Sequence, residues 1–124
     1  MKLRIQGNSL RLRLTQPEVD TFRADGRIEE RIRFAPGVRL VYAIEASPSA
    51  QHLTVHYDRN EITVTVPEST MHEWADTEQV GMEGDHTIEG DAVLSLLIEK
   101  DFQCLHHGED AKDPDAFPHP LDEE

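Results

Sequence analysis

The sequence predicts an α+β fold, either a mainly antiparallel sheet or an eight-stranded barrel, with two short helices. Three observations carry this. Apolar residues recur at every second position through most of the chain up to about residue 107. Two short segments break that period and carry helical spacing instead. The order strand, turn, strand, helix, strand, strand occurs twice.

The first strand is Lys2-Leu3-Arg4-Ile5-Gln6, with Leu3 and Ile5 on one face. Gly7-Asn8 turns the chain, because both residues tolerate positive φ. Ser9 to Leu14 alternates again, with Leu10, Leu12 and Leu14 inward and Arg11 and Arg13 outward. Thr15 then caps a helix over about 16–24, with Glu18 completing a capping box and Pro17 tolerated in the first turn. Val19 and Phe22 face the core, and Gly26 suits a left-handed exit. Ile28, Ile32 and Phe34 form the next alternating face. Ala35-Pro36-Gly37 turns the chain, and Val38, Leu40, Tyr42 and Ile44 return it.

The second half follows the same order. Leu53, Val55 and Tyr57 face inward, Asp58-Arg59-Asn60 turns, and Ile62, Val64 and Val66 continue. Pro67 starts a second helix over about 68–76 that buries Met71, Trp74 and Ala75. Gln79 to Ile88 is interrupted by Gly81 and Gly84 and reads as an irregular or edge strand. Ala92 to Glu99, AVLSLLIE, is the most apolar run and reads as a central strand buried on both faces.

Shifting the chain by 52 positions aligns residues 1–46 with 52–98. Leu3 and Ile5 fall on Val55 and Tyr57, and Asn8 falls on Asn60. Leu10, Leu12 and Leu14 fall on Ile62, Val64 and Val66. Val19 and Phe22 fall on Met71 and Trp74, while Tyr42 and Ile44 fall on Leu94 and Leu96. Identity is nearly absent, and strands that share a period of two match by class easily. The matched turn and helix anchors favour a duplicated ββαββ unit, two copies of which would pack into a barrel or a strongly bent sheet.

The chain has 124 residues, enough for one core, and the expected domain covers 1–107. From Gly108 the sequence GEDAKDPDAFPHPLDEE is acidic, proline-rich and poor in apolar residues, which predicts a flexible acidic tail over 108–124. The net charge of −13 and pI near 4.8 argue against binding nucleic acid or anionic membrane surfaces. No apolar run spans a bilayer, the N-terminus lacks the uninterrupted apolar stretch of a leader, and Cys104 is the lone cysteine. These features predict a cytoplasmic protein. The charge is uneven: residues 1–66 carry 10 Lys and Arg against 8 Asp and Glu, and residues 67–124 carry 2 against 17.

Three groups of residues bear chemistry. A cationic stripe, Lys2, Arg4, Arg11, Arg13, Arg31, Arg33 and Arg39, lies opposite the aliphatic faces. On an open sheet it is a solvated surface paired with carboxylates. In a closed barrel, Arg4, Arg11, Arg13, Arg31 and Arg33 would line a tunnel suited to phosphate or polyphosphate, since guanidinium forks match its oxygens. The second group is Asp101, Cys104, His106 and His107, all competent ligands for zinc or a similar divalent metal, although no second cysteine pair completes a known spacing. The third, His72-Glu73, lacks a second histidine four residues on and reads as a helix surface.

The tunnel arrangement resembles the triphosphate-tunnel family, whose members show an internal duplication around a barrel with a charged lumen. That family's early strand carries two alternating glutamates and a lysine. Lys2-Leu3-Arg4-Ile5-Gln6 has no carboxylate, so no catalytic residue carries over. The segments GNSLRLRL and EKDFQCLH look like a bacterial family of small proteins of unknown function, a resemblance that covers residues 1 to about 107 and implies no activity or cofactor. The functional expectation is a non-enzymatic binding or protein-interaction module without a cofactor, engaging a basic partner protein or forming a homodimer. The alternatives are a phosphate-binding protein or phosphohydrolase with an arginine-lined tunnel, and a transition-metal-binding protein.

Overall fold

The computed structural model describes residues 1–102. Eight strands and two helices follow the expected order: β1 Lys2–Gln6, β2 Ser9–Leu14, α1 Gln16–Asp25, β3 Arg27–Ala35, β4 Val38–Ser47, β5 Thr54–Asp58, β6 Glu61–Pro67, α2 Glu68–Asp76, β7 Gly81–Glu89 and β8 Ala92–Lys100.

The expected local signals are all used. Glu18 accepts from the Thr15 backbone N–H at 2.8 Å, closing the capping box, and Gly26 leaves α1 at φ 75°. Pro67 is the cap of α2 and offers no side-chain acceptor. Arg59 and Asn60 take φ of 52° and 61°, as a two-residue hairpin turn with matching twist requires.

The strands do not close into a barrel. They form two four-stranded mixed sheets, ordered β1-β2-β8-β7 and β3-β4-β6-β5. Each sheet joins two antiparallel hairpins through a parallel central pair, β2 with β8 and β4 with β6. Four of the six pairings are antiparallel, as expected, and the two parallel pairs make each sheet mixed. A period of two states which face a residue occupies and not which strand lies beside it. β8 is also not buried on both faces: Leu96 and Ile98 are buried, whereas Ser95 is exposed on the opposite side.

The pairing pattern of one half recurs in the other. Adding 52 to the β1–β2 pairs gives the β5–β6 pairs, so Lys2↔Arg13 becomes Thr54↔Thr65. Adding 54 to the β3–β4 pairs gives the β7–β8 pairs, so Arg27↔Glu45 becomes Gly81↔Glu99. Even the irregularity at Arg33/Ala35 recurs at Thr87/Glu89. The offset grows because only Gly26 joins α1 to β3, whereas residues 77–80 join α2 to β7. Tyr42 and Ile44 therefore correspond to Leu96 and Ile98, two positions beyond the match read from the sequence.

This connectivity gives the molecule two unlike ends. Both helices stand at one end, where Phe22 and Trp74 meet edge to face with ring centroids 6.4 Å apart. They pack over Leu14, Ile44, Val66 and Ile98, all essentially inaccessible to solvent. Trp74 Nε1 donates to the Val80 carbonyl at 2.9 Å, so its buried polar atom is satisfied. All four hairpin turns gather at the other end, where no helix among the described residues covers the inner faces.

Candidate functional site

Three surfaces carry the chemically distinctive side chains. The first is a cleft at the turn end. The alternation that buries Leu12, Leu14, Val64 and Val66 near the helices continues outward to Leu10, Ile62, Leu40 and Leu94. These four come from the four central strands and form the cleft floor, while Val55, Tyr57, His86 and Ile88 form one wall. The volume is about 460 Å3, within the roughly 300–1,000 Å3 of ligand-sized sites. Tyr57 and Ile88 are 63% and 56% exposed, a large apolar surface for residues in strands. Two polar groups face it. The Val55 N–H donates to His86 Nδ1 at 3.4 Å, which leaves Nε2 as the ring's remaining hydrogen-bonding atom. The Tyr57 hydroxyl lies 3.4 Å from Asn60 Oδ1 and donates to it.

The second surface is the outer face of the β1–β2 hairpin. Lys2 stands directly opposite Arg13, and Arg4 opposite Arg11. The four side chains line a depression of about 140 Å3. Arg13 Nε donates to Glu99 at 2.7 Å, Arg11 Nε lies 3.7 Å from the same oxygen, and Lys2 Nζ lies 3.2 Å from Asp101. The hydrogen bond to Glu99 raises the pKa of Arg13 above its ordinary value, so its charge is secure. Across the same sheet, a groove of about 430 Å3 runs from Arg11 over Ser9, Ser95 and Leu97 to Glu83 and Asp85.

The third is the outer face of the other sheet. Arg27 reaches Glu61 at 2.7 Å and Glu29 and Glu45 at 3.4 Å, and Arg31 reaches Glu29 at 3.2 Å. Arg31 and Arg33 therefore lie on a different sheet from Arg4, Arg11 and Arg13. With no closed barrel, the five arginines expected to line one tunnel share no lumen.

Asp101 is tied down by its ion pair with Lys2 and by its N–H, which donates to the Leu14 carbonyl at 2.8 Å. Cys104, His106 and His107, the rest of the expected metal group, lie outside the described residues. So does the segment 108–124. Among the described residues no group of three or more His, Cys, Asp or Glu side chains converges as a metal site. His72 sits at the α2 surface, 3.9 Å from Glu68 and 4.0 Å from Asp76.

A half-buried ionic cluster lies between α1 and β3. The Met1 ammonium donates to Glu18 and, at 2.6 Å, to Glu30, and Tyr42 Oη lies 3.2 Å from Glu30. Burial opposes ionisation of Glu18, but hydrogen bonds from the ammonium and from Thr15 outweigh it and hold the carboxyl at about 2. The same two glutamates outweigh burial at the ammonium and raise its pKa above 8.0.

The chain matches the family of unknown function DUF7009 over residues 1–121. It belongs to that family. The match covers both halves of the double sheet and continues past the last described strand. No curated protein and no solved structure gives a significant match. Among the described residues no helix is long and apolar enough to cross a membrane. Membership of DUF7009 assigns no activity, so function rests on the geometry of the surfaces above.

Proposed function

We propose that this protein is a non-enzymatic binding module whose site is the cleft at the turn end, taking an apolar or aromatic small molecule that carries a hydrogen-bond acceptor. The supporting observation is an apolar floor of Leu10, Leu40, Ile62 and Leu94 beside one wall that bears the cleft's polar groups, His86 and Tyr57. Burying the floor and Ile88 supplies affinity, because apolar area removed from water stabilises by about 25 cal/mol per Å2. His86 Nε2 supplies orientation. The matching register of the two halves supports this reading: the wall positions Tyr57, His86 and Ile88 correspond to Ile5, Ile32 and Phe34 of the first half. An ancestral apolar wall would have gained its polar groups on one side only.

The test is titration with a fluorescent apolar probe, followed by displacement with aromatic and medium-chain carboxylic acids. Saturable one-to-one binding that is lost in Tyr57→Asp and weakened in His86→Ala supports the proposal. Absence of saturable binding contradicts it. The basic partner protein expected from the acidic charge balance is the alternative occupant, and its capture would fall at high salt, whereas apolar binding would not.

A further inference from the structure

We propose that Lys2, Arg4, Arg11 and Arg13 form a binding site for a single tetrahedral oxyanion, either free phosphate or the phosphate group of a phosphomonoester. Three observations carry the assignment.

The first is placement. Lys2 and Arg13 are cross-strand partners, and so are Arg4 and Arg11. Directly opposed like charges destabilise a strand pair, so this hairpin holds two unfavourable pairs side by side. The second is the other hairpin. The register of β5–β6 matches that of β1–β2 at an offset of 52, and the four corresponding residues are Thr54, His56, Thr63 and Thr65. The same fold is therefore built without a lysine or arginine at any of these positions. Solubility does not account for them either, since the chain's net charge of −13 already keeps it away from neutrality.

The third observation is shape. The four cations line one depression of about 140 Å3, well below the roughly 300 Å3 at which sites enclose a drug-sized ligand. A single phosphate-sized group suits such a space, whereas a whole nucleotide does not. Two carboxylates reach the cluster, Glu99 and Asp101. They leave it with a surplus of two positive charges, four against two. Glu99 is met by Arg11 and Arg13 through Nε in both cases, which leaves the terminal guanidinium nitrogens of both for a second acceptor. Glu99 thus orients the two forks, and a phosphate completes them with charge-assisted hydrogen bonds.

The experiment is calorimetric titration of the full chain at low ionic strength, with inorganic phosphate and phosphoserine as probes and chloride at matched ionic strength as the control. Binding of either phosphate probe above the chloride response is expected. Binding of both identifies the phosphate group as the recognised element, and binding of inorganic phosphate alone restricts the site to the free ion. Arg4→Thr should weaken binding about tenfold, the effect of losing one charge-assisted hydrogen bond. The fourfold variant Lys2→Thr, Arg4→His, Arg11→Thr, Arg13→Thr copies the other hairpin. It should keep the circular dichroism of the parent and lose binding entirely. Should that variant fail to fold, Arg4→Thr alone decides, because Arg4 is exposed. A phosphate response equal to that of chloride overturns the assignment, as does binding unchanged in Arg4→Thr.

Discussion

The hairpins β1–β2 and β5–β6 share a register and an inward face, yet their outward faces have opposite chemistry. Leu3, Leu12 and Leu14 correspond to Val55, Val64 and Val66, all aliphatic. Lys2, Arg4, Arg11 and Arg13 correspond to Thr54, His56, Thr63 and Thr65. The inward residues and the two-residue turns specify the sheet, and the outward residues are free to differ. The same contrast holds at the cleft, where Tyr57 and His86 stand in for Ile5 and Ile32. Where the two halves agree, the residues account for folding. Where they differ, they carry the two binding surfaces proposed above.

The largest expected effects come from the positions at which the halves agree. Phe22 and Trp74 are equivalent, touch each other and are fully buried. Phe22→Ala and Trp74→Ala should each cost about 3–5 kcal/mol in urea unfolding. Trp74→Ala should lie at the upper end, because it also removes the hydrogen bond from Nε1 to the Val80 carbonyl, which keeps only its bond from the Lys100 N–H. A cost below about 1 kcal/mol at either position would break the equivalence.

A second effect separates the first turns of the helices. Glu18 of α1 closes a capping box and holds the Met1 ammonium, whereas the equivalent residue of α2 is Thr70 and the cap is Pro67. Because the folded-state pKa of Glu18 is depressed to about 2, its contribution is fully present above its unfolded value near 4.5 and is lost as pH falls toward 2. Stability of the parent should therefore drop across that window, and Glu18→Gln should flatten the drop. Raised above 8.0, the ammonium pKa adds stability below that pH that is lost on further alkalinisation. Chemical denaturation at a series of pH values reads both limbs. An acid limb unchanged in Glu18→Gln would assign it to other carboxylates.

The smallest effect is a gain. Arg4→Thr removes one opposed like-charge pair and should stabilise the fold by roughly 0.2–1 kcal/mol at low salt. The gain should shrink as salt screens the pair. A loss of stability would mean that the cations serve the fold.

The sequence made the inward faces, the turns and both helices legible because each has a local cause. Thr15 and Glu18 cap α1, Gly26 ends it, and the outcome Gln16–Asp25 lies one residue from expectation. Gln79 to Ile88 became the edge strand Gly81–Glu89, with Gly81 and Gly84 both paired within its ladder to β8. The hairpin partners were legible from their turns, but the parallel partners that join the hairpins were not. Alternation is the same whether Ser9–Leu14 pairs with β8 in parallel or with another strand, so it leaves a single sheet and a barrel equally open where the chain forms two separate mixed sheets. The barrel alternative is what grouped Arg31 and Arg33 with Arg4, Arg11 and Arg13. The cleft went unseen because its floor is assembled from four strands distant in sequence. Its one sequence signal was apolar alternation carried out to the turns, at Tyr57 and Ile88.

The most direct test of the account is an amide and side-chain chemical-shift map of the full chain during titration with an aromatic carboxylic acid. Perturbation of Tyr57, His86 and Ile88 together with the floor residues Leu40 and Leu94 is expected. No response is expected at the equivalent positions Ile5, Ile32 and Phe34. Equal perturbation of both sets, or perturbation of neither, would contradict the claim that binding resides where the two halves differ.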